Sequence, residues 1–135
     1  MASGEDLPGN VKAVIADCGY TSEWDEFQRE ADALHIPWFP VLNATSVLSK
    51  IRDGYDFKQA SALAQVKKSR IPTLFIHGSS DELVPYSMLG ELYAAAACEK
   101  EELTVEGAGH ALSSSVAPTL YWRTVEDFIA KYLDR

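Results

Sequence analysis

Three short stretches of β-branched and apolar residues, each followed by a turn and then by residues recurring at helical spacing, constrain this chain most. The predicted strands are Val11-Lys12-Ala13-Val14-Ile15-Ala16-Asp17, Pro72 to His77 and Glu102 to Glu106. The first is nearly all apolar, the pattern of a strand buried on both faces of a parallel sheet. Ser22, three residues before Asp25, predicts the start of a helix with Trp24, Phe27, Ala31 and Leu34 on one face and Pro37 at its end. Ser61 to Lys68 predicts a short helix. Pro85 starts another, with Met88, Leu89, Leu92, Tyr93 and Ala96 as its buried face, and Pro118 opens the last, striped by Tyr121, Val125, Phe128, Ile129 and Tyr132. Strands alternating with helices define an α/β fold with a parallel sheet and right-handed crossovers, in one domain covering residues 1–135. In such sheets ligands bind beyond the carboxyl ends of the strands, where Cys18-Gly19, Asp81 and His110 all fall.

Between Ile36 and about Gly54 the text changes character. Pro37-Trp38-Phe39-Pro40 sets two aromatics between two prolines, and Gly54-Tyr55-Asp56-Phe57 adds two more. This stretch reads neither as a simple strand nor as one long helix. Trp38, Phe39 and Tyr55 either pack core and loop, as clustered aromatics do, or line a pocket for an apolar group.

Charge and composition exclude several classes of function. With 47 % hydrophobic and 24 % charged residues the chain has an ordinary globular composition. A formal net charge of −8 argues against nucleic acid, whose phosphates need clustered Lys and Arg, and the only basic run is Lys67-Lys68-Ser69-Arg70. No apolar stretch is long enough to span a bilayer, and no signal segment follows Met1. Cys18 and Cys98 stand in neither a C-x-x-C nor a C-x-x-H spacing, so buried free thiols in a reducing, cytoplasmic compartment are expected. No cofactor is called for. A metal held by His77, Asp81 and His110 would lack the tight H-x-x-x-H spacing of zinc sites, so no metal is expected either.

The residues that carry chemistry lie in two loops. Asp81 stands in His77-Gly78-Ser79-Ser80-Asp81-Glu82-Leu83-Val84-Pro85, and His110 in Gly107-Ala108-Gly109-His110-Ala111. An Asp that accepts a hydrogen bond from an imidazole fixes its tautomer and stabilises the imidazolium formed when it takes a nucleophile's proton. Glu82 and Asp17 are positional rivals for the acid, and a capping role for Asp81 ahead of Pro85 is compatible with the catalytic one. No serine sits in a G-x-S-x-G elbow. Ser80 comes nearest, with Gly78 two residues before it, but Glu82 replaces the second glycine.

The wording around Asp81-x-x-Val84-Pro85 and Gly107-Ala108-Gly109-His110, in the order acid then histidine, resembles the serine α/β-hydrolases, the prolyl-oligopeptidase-like and BEM46-like esterases and peptidases above all. The resemblance implies a three-layer α/β/α architecture of which this chain is the C-terminal portion, its strands being the last three of the sheet. It implies a cap, or its remnant, at about 36–57. Asp81 and His110 would be the acid and base of a Ser-Asp-His triad, and His77-Gly78 structural. Met1 to Pro8 resembles the end of the helix that follows the elbow, which places the missing serine about ten residues upstream. The substrate would be a small-molecule ester, thioester or amide. The chain alone would be inactive; it is otherwise a non-catalytic binding module or one half of a split hydrolase completed by an N-terminal half. Unpaired, the Val11 to Asp17 strand would drive self-association.

Overall fold

The computed structural model describes residues 7–133. In chain order the elements are β1 (Val14–Asp17), α1 (Glu23–Ala33), α2 (Trp38–Asp53), α3 (Ala62–Val66), β2 (Thr73–Gly78), α4 (Ser87–Ala95), β3 (Lys100–Val105), α5 (Ser113–Val116) and α6 (Pro118–Leu133). The strands form one parallel sheet in the order β1-β2-β3. Val14 pairs with Thr73 and Gly78 with Val105, so the carboxyl ends of all three strands meet at one edge.

Alternation along β2 explains the layers. Leu74 and Ile76 face one side, where they pack with Tyr121, Val125, Phe128 and Tyr132 of α6. Phe75 faces the other, where it packs with Val66 of α3 and with Leu89, Leu92 and Ala96 on and just after α4. All of β2 is buried, as a central strand must be. Helices on both faces of a parallel sheet make this the expected α/β fold, and the stripe read along α6 is the one the sheet covers. Phe75 and Phe128 are 2 % and 0 % exposed, and burial of a side chain of that size stabilises by roughly 2–3 kcal/mol.

Several boundaries differ from the sequence reading. The first strand is confined to Val14–Asp17, and only Val14 of its residues is buried, because β1 is the edge of the described sheet and has a neighbour on one side only. The fourth helix begins at Ser87 rather than Pro85. Asp81 draws the N–H groups of Leu83 and Val84 into a turn, and the chain is not free to enter the helix until that turn is complete. The short α5, Ser113–Val116, was not foreseen.

The segment around Trp38 is the main correction. Trp38–Asp53 forms a single long helical element, kinked at Phe39, whose φ and ψ are −99° and 127°. The regular turns therefore begin at Pro40, where a missing N–H has no cost. They end at Gly54, left-handed at φ 70°, a conformation that glycine adopts without the Cβ penalty. Ser46, buried in this helix, donates to Asp56, and Lys50 pairs with the same carboxylate at 3.0 Å, which ties the helix to the loop after it. Both prolines lie at or before the first turn, so the stretch that reads neither as a simple strand nor as one long helix is helical from Pro40 on. No described helix is long and apolar enough to cross a membrane. The stretch Met1 to Asp6, read as part of a helix end, lies outside the described residues.

Candidate active site

Beyond β2 and β3 two loops are stitched together by their backbones. Ser79 N–H donates to Val105 O at 3.0 Å, Ser80 N–H to Ala108 O at 3.0 Å, and Gly107 N–H to the Ser79 hydroxyl at 2.9 Å. The close approach explains Gly78: a Cβ there would sit 2.2 Å from the Ala108 carbonyl oxygen. Glycine at the end of β2 is what lets the loop carrying His110 lie against the loop carrying Asp81.

Asp81 is buried, and both of its oxygens are used. Oδ1 accepts from Leu83 N–H at 2.9 Å and Val84 N–H at 2.8 Å. Oδ2 lies 2.9 Å from His110 Nδ1. Burial by itself would raise the carboxyl's pKa. The Val84 N–H and the His110 ring outweigh it, and the net shift is downward. The acid is thus held as a carboxylate against His110, whose side chain is 37 % exposed while that of Asp81 is fully covered. Asp81 shapes its turn as well as pairing with the imidazole, and the two roles use different oxygens.

His77 contributes by donating. Its Nε2 is 3.0 Å from Val84 O, and a carbonyl only accepts, so the ring carries its proton on Nε2. The same nitrogen is 3.3 Å from Asp81 Oδ2. At 1 % exposure His77 is an interior brace for the turn. The rivals for the acid are placed elsewhere: Glu82 is exposed, and Asp17 accepts from the Tyr121 hydroxyl at 3.0 Å. Burial, followed by that bond to Asp17, pushes the Tyr121 phenol up to about 12.

Cys18 is expected from sequence to be a buried thiol at the carboxyl end of the first strand. It is buried, and it directly follows β1 with φ 52° in the left-handed region. Its Sγ accepts from Ala111 N–H at 3.3 Å and donates to Asp17 Oδ1 at 3.3 Å. Burial pushes the thiol up to about 11. One ligating atom from each of Cys18, Asp81 and His110 lies within 4.8 Å of the others. Its place at a strand's carboxyl end, which the sequence does reveal, was the signal for this proximity.

Trp38, Phe39 and Tyr55 are not gathered around the Asp81 and His110 pair. Trp38 lines an apolar pocket of about 300 Å³ with Phe27, Leu34, Val41, Leu42 and Phe57, a pocket to which neither Asp81 nor His110 contributes. Phe39 is 66 % exposed. Tyr55 donates to Glu23 and packs its ring edge against Phe57.

In fold, the chain is similar to solved structures of α/β hydrolases. Pyrococcus horikoshii acylaminoacyl peptidase superposes at a TM-score of 0.68 with 16 % identity, covering 100 % of this chain and 22 % of its own. The Pyrococcus furiosus esterase PF2001 does so at 0.68 with 16 % identity, covering 98 % of this chain and 48 % of its own. At that identity the likeness is one of fold. In sequence, the chain is 30 % identical over 116 residues to the uncharacterized protein YqkD of Bacillus subtilis, and 32 % identical over 81 residues to the uncharacterized protein Rv2307c of Mycobacterium tuberculosis. It spans 38 % of the length of the first and 25 % of the second. No family model matches the chain.

Proposed function

We propose that the chain carries the acid and the general base of a Ser-Asp-His hydrolase acting on a small-molecule ester, thioester or amide, with the nucleophile supplied by a segment that is not part of this sequence. The observation that carries this reading is the 2.9 Å contact between His110 Nδ1 and Asp81 Oδ2 at the carboxyl edge of a parallel sheet. That contact engages Nδ1 and leaves Nε2 for the proton of an attacking hydroxyl. Asp81 then stabilises the imidazolium, and His110 returns the proton to the leaving group as the acyl-enzyme forms. Gly78 and His77 brace the turn. The helix with Trp38 and Phe39, and Tyr55 after it, would act as a cap holding an apolar acyl or aryl group only after moving toward the Asp81 and His110 pair, since the pocket beside Trp38 includes neither residue. A cytoplasmic location is part of the same proposal and rests on two free cysteines.

A fluorophosphonate probe tests the reading. The 135-residue chain is expected to take no label, since it has no G-x-S-x-G elbow. A protein extended upstream through such an elbow is expected to be labelled and to hydrolyse p-nitrophenyl esters. In that protein Asp81→Asn should lower turnover on the order of ten-thousandfold with the fold intact. Near-normal turnover in that variant, or saturable hydrolysis by the short chain abolished by His110→Ala, overturns the proposal.

A further inference from the structure

We propose that Cys18, Asp81 and His110 form a binding site for a borderline divalent cation of the Zn2+ kind, and that a cation held there takes His110 out of its pairing with Asp81. The three side chains come from the ends of β1, the turn after β2 and the loop after β3, and their ligating atoms already lie within 4.8 Å of one another. Tetrahedral zinc, with bonds of about 2.3 Å to sulfur and about 2.0 Å to nitrogen or oxygen, sets its ligand atoms roughly 3.3–3.6 Å apart. The longest separation must therefore close by about an ångström, and the 2.9 Å between His110 Nδ1 and Asp81 Oδ2 must open by a few tenths. The exposed imidazole is the side chain with room to make that adjustment, since Cys18 is buried.

The donor set selects the ion. A sulfur, an imidazole nitrogen and one carboxylate oxygen suit zinc, whereas magnesium and calcium require oxygen throughout. Three protein ligands leave a fourth position for water. The surroundings fit as well. Leu83 and Val84 fix Asp81 Oδ1, so that Oδ2 is the oxygen offered. Ala111 N–H already donates to Sγ, a contact that favours the thiolate. Asp17 Oδ1, 3.3 Å from the sulfur, adds a carboxylate that attracts a cation, while together with burial it holds Cys18 as the thiol until a cation displaces the proton. His110, 37 % exposed on its side chain, is the entrance. On binding, the thiol proton leaves to solvent and the imidazole proton moves from Nδ1 to Nε2. That tautomer can no longer accept a proton at Nε2, so an occupied site and a working general base exclude each other. The exclusion rests on the hydrolase reading; the cation site itself does not.

Co2+ titration of the purified 135-residue chain, with Zn2+ as competitor, reads the site directly. A thiolate-to-Co2+ charge-transfer band is expected, lost on adding Zn2+, absent in Cys18→Ser and retained in Cys98→Ser. His110→Ala removes a ligand whose side chain is 37 % exposed, and is expected to weaken Zn2+ binding by calorimetry on the order of ten- to a hundredfold or more. No band at saturating Co2+, a band that persists in Cys18→Ser or vanishes in Cys98→Ser, or unchanged Zn2+ affinity in His110→Ala overturns the proposal. These measurements need no substrate, so their failure leaves the acid and base reading standing, and failure of the fluorophosphonate experiment leaves the cation site standing.

Discussion

Gly78 shows how a single residue decides whether the Asp81 and His110 loops can meet. Gly78→Ala would thrust a methyl to 2.2 Å from the Ala108 carbonyl oxygen, which is backbone and cannot swing aside. Destabilisation of about 2–3 kcal/mol is expected, as for an overpacked core, read as a lowered urea midpoint. The His110 ring resonances should shift with it, because the Ala108 loop must move. Asp81 carries a separate prediction. Its folded-state pKa lies below the ordinary carboxylate value, with burial opposing the shift and the hydrogen bonds from Val84 and His110 overcoming it. Its charge therefore contributes stability above the unfolded pKa of about 4, and that contribution is lost as pH falls through the lower folded value. Urea midpoints of the native chain and Asp81→Asn, measured from pH 7 downward, should be furthest apart above about pH 5 and converge in acid. A gap independent of pH would mean the carboxylate's charge plays no part.

At the scale of elements, α6 depends on the face it turns to the sheet. Phe128 is 0 % exposed among Leu74, Ile76 and Val125, and Phe128→Ala is expected to cost roughly 3–5 kcal/mol. Glu126→Ala, on the exposed side of the same helix, should stay within about 0.5 kcal/mol of the native chain. Comparable losses from both would show that the helix is held by its own propensity and not by its apolar stripe. The helix Trp38–Asp53 packs differently. Only Leu42 and Ser46 are buried in it, while Val47, Leu48 and Ile51 are 58 %, 62 % and 78 % exposed. With so little apolar area covered, it is expected to open before the sheet does. Amide exchange should be faster across it than across β2, all of whose residues are buried.

At the scale of the whole molecule, β1 has no strand on its outer side among the described residues. Val14 N–H and Cys18 N–H bond inward to Pro72 O and Ile76 O at 2.9 Å each. The pleat therefore turns the N–H of Ile15 outward, where no described strand meets it. Beside that edge lies an apolar pocket of about 220 Å³ lined by Val14, Ala16, Val66, Phe75 and Leu92. An open edge next to uncovered apolar surface templates association with a second copy. Sedimentation velocity at micromolar concentration is expected to show dimers or larger species. Ile15→Pro removes the outward donor, leaves the inward ones, and should shift the population toward monomer. A native chain that sediments as a monomer would show that the edge is covered.

Local pattern was enough for the sequence to specify three strands, their parallel pairing, the capped start of α1 at Ser22 and the stripe on α6. Each depends on residues close in the chain or on a periodicity repeated along it. The two loops were legible for the same reason, because glycines and a Pro after Val84 mark where strands end. Whether Asp81 lay beside His110 could not be read from either loop alone, since it depends on the register of β2 against β3 and on a Cβ missing at Gly78. The helix across Trp38–Asp53 was not legible because two prolines and two aromatics at its start, with Phe39 non-helical, obscure the helical spacing until the prolines are seen to lie at or before the first turn. Cys18 is the furthest from local reading. Its partners Asp17, Ala111 and the Asp81 and His110 pair converge from three strand ends, and only the closed sheet brings those ends together.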